Sequence, residues 1–202
     1  EAEGKLFQLS QQNTKKEYTQ IDPVIDEAYN VLRKAAARND GLSGISSGFT
    51  ELDKITSGWQ NSDLVILAAR PAMGKTAFAL SMAKNIAVDS KTPVAFFSLE
   101  MSNVQLVNRL IINVCEIPGE KLKSGQLVYK RQLYIDDTPS LSIFELRTKA
   151  RRLVREHQVG LIMIDYLQLM NASGMNFGSR QEEVSNISRA LKQLAKELNI
   201  PI

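Results

Sequence analysis

The sequence predicts an α/β fold: a mostly parallel sheet with helices on both faces, preceded by a helix-bearing segment. Three observations predict it. Short apolar runs alternate along the chain with longer runs of helical period from about residue 63 onward. Runs such as Leu161-Ile162-Met163-Ile164 lack polar alternation, as strands do when both faces are covered. One such run, Asp63-Leu64-Val65-Ile66-Leu67-Ala68, passes through Ala69-Arg70-Pro71-Ala72-Met73-Gly74-Lys75-Thr76 straight into the helical run Ala77 to Val88. Strand, tight loop and helix in that order are a βα unit of parallel topology.

Residues 1–20 are polar and rich in Gln, Lys and Ser, and read as an exposed or linker segment. A helix at about 23–38 follows, with Asp22 as cap, Pro23 in its first turn and Gly41 beyond its end. Its apolar positions Val24, Ala28, Val31, Leu32 and Ala35 form one stripe, opposite Glu27, Arg33, Lys34 and Arg38. Residues 1–40 are thus a linker segment and residues 41–202 the main domain. Glycines 41, 44, 48 and 58 punctuate the domain's start. Strands are then predicted at 63–69, 93–99, 133–136 and 160–165, and helices at 75–88, 103–115, 142–156 and 180–198. Ser142 with Glu145, and Ser179 with Glu182, have the spacing of capping boxes.

Bulk properties exclude several classes. The 202 residues carry a mild net charge of +3 and are 44% hydrophobic, enough for a sizeable core. No apolar run approaches the length of a membrane span, and the start Glu1-Ala2-Glu3-Gly4-Lys5 is not a secretory signal. The single cysteine, Cys115, excludes an internal disulfide and lies in an apolar stretch that reads as core. His157 falls at the carboxyl end of a basic helix, where a cation is favoured. No His/Cys cluster suggests zinc.

The chemistry lies at the carboxyl ends of the predicted strands, where open α/β sheets place ligands. The 69–76 loop ends in Gly-Lys-Thr at a helix start, the form of a phosphate-binding loop. A helix amino terminus offers unpaired N–H groups and partial positive charge. Gly74 admits close backbone approach, Lys75 supplies a point charge for the outer phosphates, and the Thr76 hydroxyl can ligate Mg²⁺. Arg70, Pro71, Ala72 and Met73 complete the nucleotide loop. Asp165 directly follows an apolar strand, the arrangement of a Walker B carboxylate that holds Mg²⁺ through water. Glu100, ending the 93–99 strand, is placed to orient and deprotonate an attacking water. Asp136 and Asp137 end the 133–136 strand, but Thr138-Pro139 turns the chain away, so they read as structural or capping residues.

Taken in order, Gly48-Phe49-Thr50-Glu51-Leu52-Asp53, the Ala-Arg-Pro-Ala-Met-Gly-Lys-Thr loop, Phe97-Ser98-Leu99-Glu100-Met101-Ser102, Ile164-Asp165-Tyr166-Leu167-Gln168-Leu169 and Gly178-Ser179-Arg180-Gln181-Glu182-Glu183-Val184 resemble bacterial DnaB-type replicative helicases. The likeness runs from the linker helix to Ile202, and Ala69 in place of the usual first Gly is the family's form. It implies a RecA-like P-loop ATPase domain using ATP and Mg²⁺. It also implies a cytoplasmic homo-hexamer around single-stranded DNA that unwinds duplex DNA at the fork, with primase and a helicase loader as partners and no membrane. By the same likeness Lys75 and Thr76 match the phosphate and Mg²⁺ ligands, Glu100 the catalytic glutamate and Asp165 the Walker B aspartate. Arg109 resembles the arginine near the adenine base. Segment 171–183, with Gly174, Gly178 and Arg180, resembles the channel-facing loop, and Arg180 is its candidate DNA contact.

The chain departs from the family pattern in three ways. Against that pattern the primase-binding domain reads as absent from these 202 residues, and the stretch from Gly119 to Leu133 reads as shorter than in the family. The chain ends at Asn199-Ile200-Pro201-Ile202, where a further strand is expected, so the domain reads as incomplete at its carboxyl end. The glutamine sensor, the second DNA loop and the arginine finger are expected beyond that point. Two other readings use the same residues. One is a RecA-type recombinase or a related clock-protein or repair ATPase, though these usually carry Gly at position 69. The other is a non-hydrolysing assembly or docking fragment.

Overall fold

A computed structural model describes residues 20–36, 41–114, 133–172 and 178–202. Cys115, the stretch from Gly119 to Gln132 and Gly174, each of which carries an expectation above, lie outside the described residues. The chain divides into two compact units, Glu1–Ser43 and Gly44–Ile202.

In the first unit, helix α1 spans Ile21–Ala36. Asp22 lies inside its first turn rather than ahead of it, so the expected cap is instead a favourable charge near the positive helix end. Ile21, Val24, Ile25 and Tyr29 are exposed on it at helical spacing.

The second unit is built on three parallel strands in the order β2-β1-β3: β1 at Val94–Ser98, β2 at Leu133–Asp136 and β3 at Leu161–Asp165. Every residue of β1 is buried. Its side chains alternate between two cores, which is how a central strand specifies two layers at once. Val94 and Phe96 pack with Leu80, Ala83 and Ile86 of α3 (Lys75–Val88) and with Leu106 and Leu110 of α4 (Asn103–Val114). Ala95 and Phe97 pack with Leu146 and Ala150 of α5 (Ile143–His157) and with Ile187, Leu191 and Leu194 of α6 (Arg180–Leu198). Each large side chain so buried contributes about 1.5–3 kcal/mol. Among the described residues no helix is long and apolar enough to cross a membrane.

The main helices and the three strands lie within a residue or two of their predicted bounds, the usual uncertainty of element ends. The expected strand at 63–69 is different, because it is not a strand. The Val65 N–H donates to the Ile202 carbonyl at 2.8 Å and the Ile202 N–H to the Asp63 carbonyl at 2.9 Å, while the Pro201 carbonyl accepts from Ile162 of β3 at 3.2 Å. Among the described residues the segment pairs in sheet fashion with Ile202, and a ladder is a run of such pairs. Past that point Ile66 is 66% exposed and Leu67 46% exposed.

A helix that periodicity did not show, α2 at Thr50–Thr56, stands where only glycine-punctuated chain was expected. Ile45 and Trp59 exchange both backbone bonds at 2.9 and 2.8 Å and close the loop that contains it. Inside, buried Asp53 accepts from the Ser46 hydroxyl at 2.6 Å, the Ser47 hydroxyl at 2.6 Å and the Ser47 N–H at 2.8 Å. The loop leans on α3: the Phe49 and Phe78 rings stack 4.8 Å apart. Gly48, at φ +78°, comes so close to α3 that a Cβ there would lie 2.3 Å from that of Asn85.

Candidate nucleotide site

Helix α3 begins without the device that starts α5 and α6. At α5 the Ser142 hydroxyl accepts from the Glu145 N–H while the Glu145 carboxylate reaches back to the Ser142 N–H. At α6 only half of the expected box forms, since Ser179 caps Glu182 but the Glu182 carboxylate takes the Gly178 N–H. At α3 the cap position is Gly74, at φ +82°, with no side-chain cap bond and no acidic residue in the first turn. The helix therefore presents open N–H groups, with Lys75 as its first residue. A positive helix end with no acidic residue in its own first turn is suited to an external anion.

The loop ahead of it is exposed from Ala69 to Gly74. Ala72, at φ +64°, and Gly74 both adopt left-handed backbone, and the Met73 N–H closes a turn onto the Arg70 carbonyl at 3.3 Å. Turns of this kind aim successive N–H groups into one concavity.

Facing this helix start is the end of β3. Asp165 is 5% exposed and accepts from the Thr76 hydroxyl at 2.6 Å. Its other oxygen lies 3.7 Å from Lys75 Nζ, which sits 4.1 Å above the Tyr166 ring. A hydroxyl and a buried carboxylate in contact beside an open helix end suit a hard divalent cation that keeps most of its waters and takes its remaining ligands from phosphates. Among the described residues there is no cluster of three or more His, Cys, Asp and Glu side chains, and Mg²⁺ bound in this manner needs none.

Glu100 is exposed in the bend after β1. Ser98 pairs in register with Asp165, and the Leu99 N–H donates to the Asp165 carbonyl at 2.8 Å. Glu100 and Asp165 therefore leave adjacent parallel strands at the same sheet end, as the strand order requires.

The other predicted residues are placed by different contacts. Arg109 is exposed on α4. Arg180 begins α6, pairs with Glu183, and donates to the carbonyls of Gln168 and, at 2.9 Å, Met170, just past β3. Glu183 also accepts from the Ala172 N–H at 3.0 Å. That bond first, then Arg180, holds its carboxyl below the usual range. His157 closes α5 as expected and stacks on Tyr134 with ring centroids 4.6 Å apart. Asp136 and Asp137 are engaged within the fold: Asp136 pairs with Lys149 at 2.7 Å and caps the Thr138 N–H at 3.0 Å, and Asp137 accepts the Asn103 N–H at 2.9 Å. Tyr166 and Ser98 escaped the sequence reading. Both stand within the motif strings around Asp165 and Glu100, with no role read for either.

Comparisons with known proteins identify the chain's family. The DnaB-like helicase C terminal domain family matches residues 44–202. A Geobacillus stearothermophilus protein named replicative DNA helicase DnaB is 43% identical over 216 residues, taking in all of this chain and 48% of that protein. A Bacillus subtilis (strain 168) protein named replicative DNA helicase DnaC is 41% identical over 216 residues, again across the whole chain and 48% of the relative. The chain thus spans about half the length of these relatives. Among solved structures, one described as an ATPase domain superposes with a TM-score of 0.76 at 33% identity, over 92% of this chain and 70% of that one. The structure of a DnaB-like replicative helicase and its interactions with primase gives a TM-score of 0.70 at 32% identity, over 99% and 51% of the two chains. The parallel sheet between helices is that of these RecA-like ATPase domains, and the chain belongs to the DnaB-like helicase C terminal domain family.

Proposed function

We propose that this chain is the ATP-hydrolysing motor unit of a replicative DNA helicase, which unwinds duplex DNA by moving as a hexameric ring on single-stranded DNA. The carrying observation is the uncapped start of α3 set against buried Asp165. The loop from Arg70 to Gly74 would wrap the phosphates with its N–H groups, and Lys75 would meet the outer two. Thr76 and Asp165 would hold Mg²⁺, which neutralises charge on the transferring phosphoryl group. Glu100 would orient the attacking water and accept its proton. Arg109 would lie by the base.

Arg180 is the candidate DNA contact. The carbonyls of Gln168 and Met170 hold its guanidinium, so its reach toward DNA is linked to the turn after β3. Charge at the γ-phosphate beyond Lys75 would come from a neighbouring subunit. Primase and a loader are the proposed partners, by analogy with relatives, in a cytoplasmic setting.

The test is ATP binding and turnover, with and without single-stranded DNA, in protein carrying this domain. Lys75→Ala removes a charge-assisted contact of about 1.5–3 kcal/mol, so ATP affinity by calorimetry should fall about tenfold or more. Arg180→Ala should keep basal turnover and lose its stimulation by DNA. Unchanged ATP affinity in Lys75→Ala would remove the nucleotide assignment, and full DNA stimulation in Arg180→Ala would remove Arg180 from the DNA path.

A further inference from the structure

The bend that carries Glu100 is short: β1 ends at Ser98 and α4 starts at Asn103. Its near side is fixed by Ser98, 1% exposed, whose hydroxyl donates to the Met101 carbonyl at 2.7 Å and accepts the Met101 N–H at 3.1 Å. Its far side is fixed from another strand. The carboxylate of Asp137, just past β2, accepts the Asn103 N–H at 2.9 Å, where a negative charge also favours the start of α4. Asp137 is itself held, because Asp136 beside it is tied to Lys149 of α5 at 2.7 Å and to the Thr138 N–H at 3.0 Å. The chain beyond Glu100 is therefore anchored at both Met101 and Asn103, and the chain before it by β1.

We propose that Asp137 is a positioning residue for ATP hydrolysis: by holding the first N–H of α4 it fixes the bend on which Glu100 meets the attacking water. This rests on the reading of Glu100 as the base. Hydrolysis is sensitive to such placement, since a misplacement of about 1 Å can cost on the order of 100-fold in rate. Binding of ATP by Lys75 and Thr76 lies on α3 and does not pass through Asp137.

The experiment compares Asp137→Ala, Asp137→Asn, Glu100→Gln and the double variant Asp137→Ala/Glu100→Gln in the full-length protein. Asp137→Ala should lower kcat about 10- to 100-fold with KM for ATP within about twofold. Asp137→Asn, which keeps an acceptor oxygen, should restore kcat to within about threefold of the parent. In the Glu100→Gln background Asp137→Ala should add nothing further, because there is no base left to misplace. Asp137→Ala at parental kcat overturns the proposal, as does an equal loss in both backgrounds, which would mark general structural damage. Normal turnover by Glu100→Gln would overturn the reading of Glu100 and the proposal with it. Loss in Glu100→Gln alongside parental turnover in Asp137→Ala would sink the positioning role alone.

Discussion

Asp53 is a buried carboxylate with no cation paired to it among the described residues; hydroxyl and N–H donors from Ser46 and Ser47 satisfy it instead. Burial works to raise its pKa, but those hydrogen bonds outweigh it, and the carboxyl sits below its ordinary 3.8. At Asp136 burial is likewise overcome, there by Lys149 and Thr138. A carboxyl whose folded pKa is depressed favours folding at pH values above its unfolded pKa. The contribution is then lost as pH falls through the folded value. Stability should therefore be level near neutrality and decline below about pH 4. Asp53→Ala should cost about 1–3 kcal/mol at neutral pH by leaving the serine donors unmet, and should flatten the acid decline, both read by denaturant titration. Lys75, Thr76 and Asp165 were legible in the sequence because their meaning is local: each stands at the junction of an apolar run with a loop or helix. Ser98 and Asp137 were not, because what defines Asp137 is a bond to a residue 34 positions away.

At the scale of elements, two helices with the same Ser-x-x-Glu spacing start differently. Ser142 and Glu145 exchange bonds in both directions, whereas Glu182 is drawn off to the Gly178 N–H. Ser142→Ala should thus lower the unfolding free energy by about 1 kcal/mol, with Ser142→Gly milder, as denaturation of the two variants would show. A neutral result would mean that the Glu145 carboxylate alone suffices at that end. Helices of a dozen residues or more announced themselves by period, and strands buried on both faces by unbroken apolar runs. Two elements did not. Helix α2 is held by the Asp53 bonds and the Ile45–Trp59 pairing rather than by an apolar stripe. Segment 63–69 has the composition of a strand, but among the described residues its sheet-like pairing is with Ile202 alone, and composition does not report pairing partners.

Taken whole, the domain has a buried middle and an exposed approach to its nucleotide loop. Strand β1 is bonded on both sides and packed on both faces. The chain entering the loop is held to the sheet through Ile202. Val65, Ile66 and Leu67 are exposed whereas every residue of β1 is buried, and local opening of exposed chain costs less than global unfolding. Amide hydrogens report such opening directly. The Val65 amide should exchange with solvent deuterium much faster than that of Phe96, and ATP with Mg²⁺ should slow it, since a ligand that binds only the closed loop withdraws population from the open one. Equal protection at the two positions would contradict this. The two ends of the nucleotide loop should thus keep different time: exposed chain leads into it, and helix α3, packed against β1, leads out.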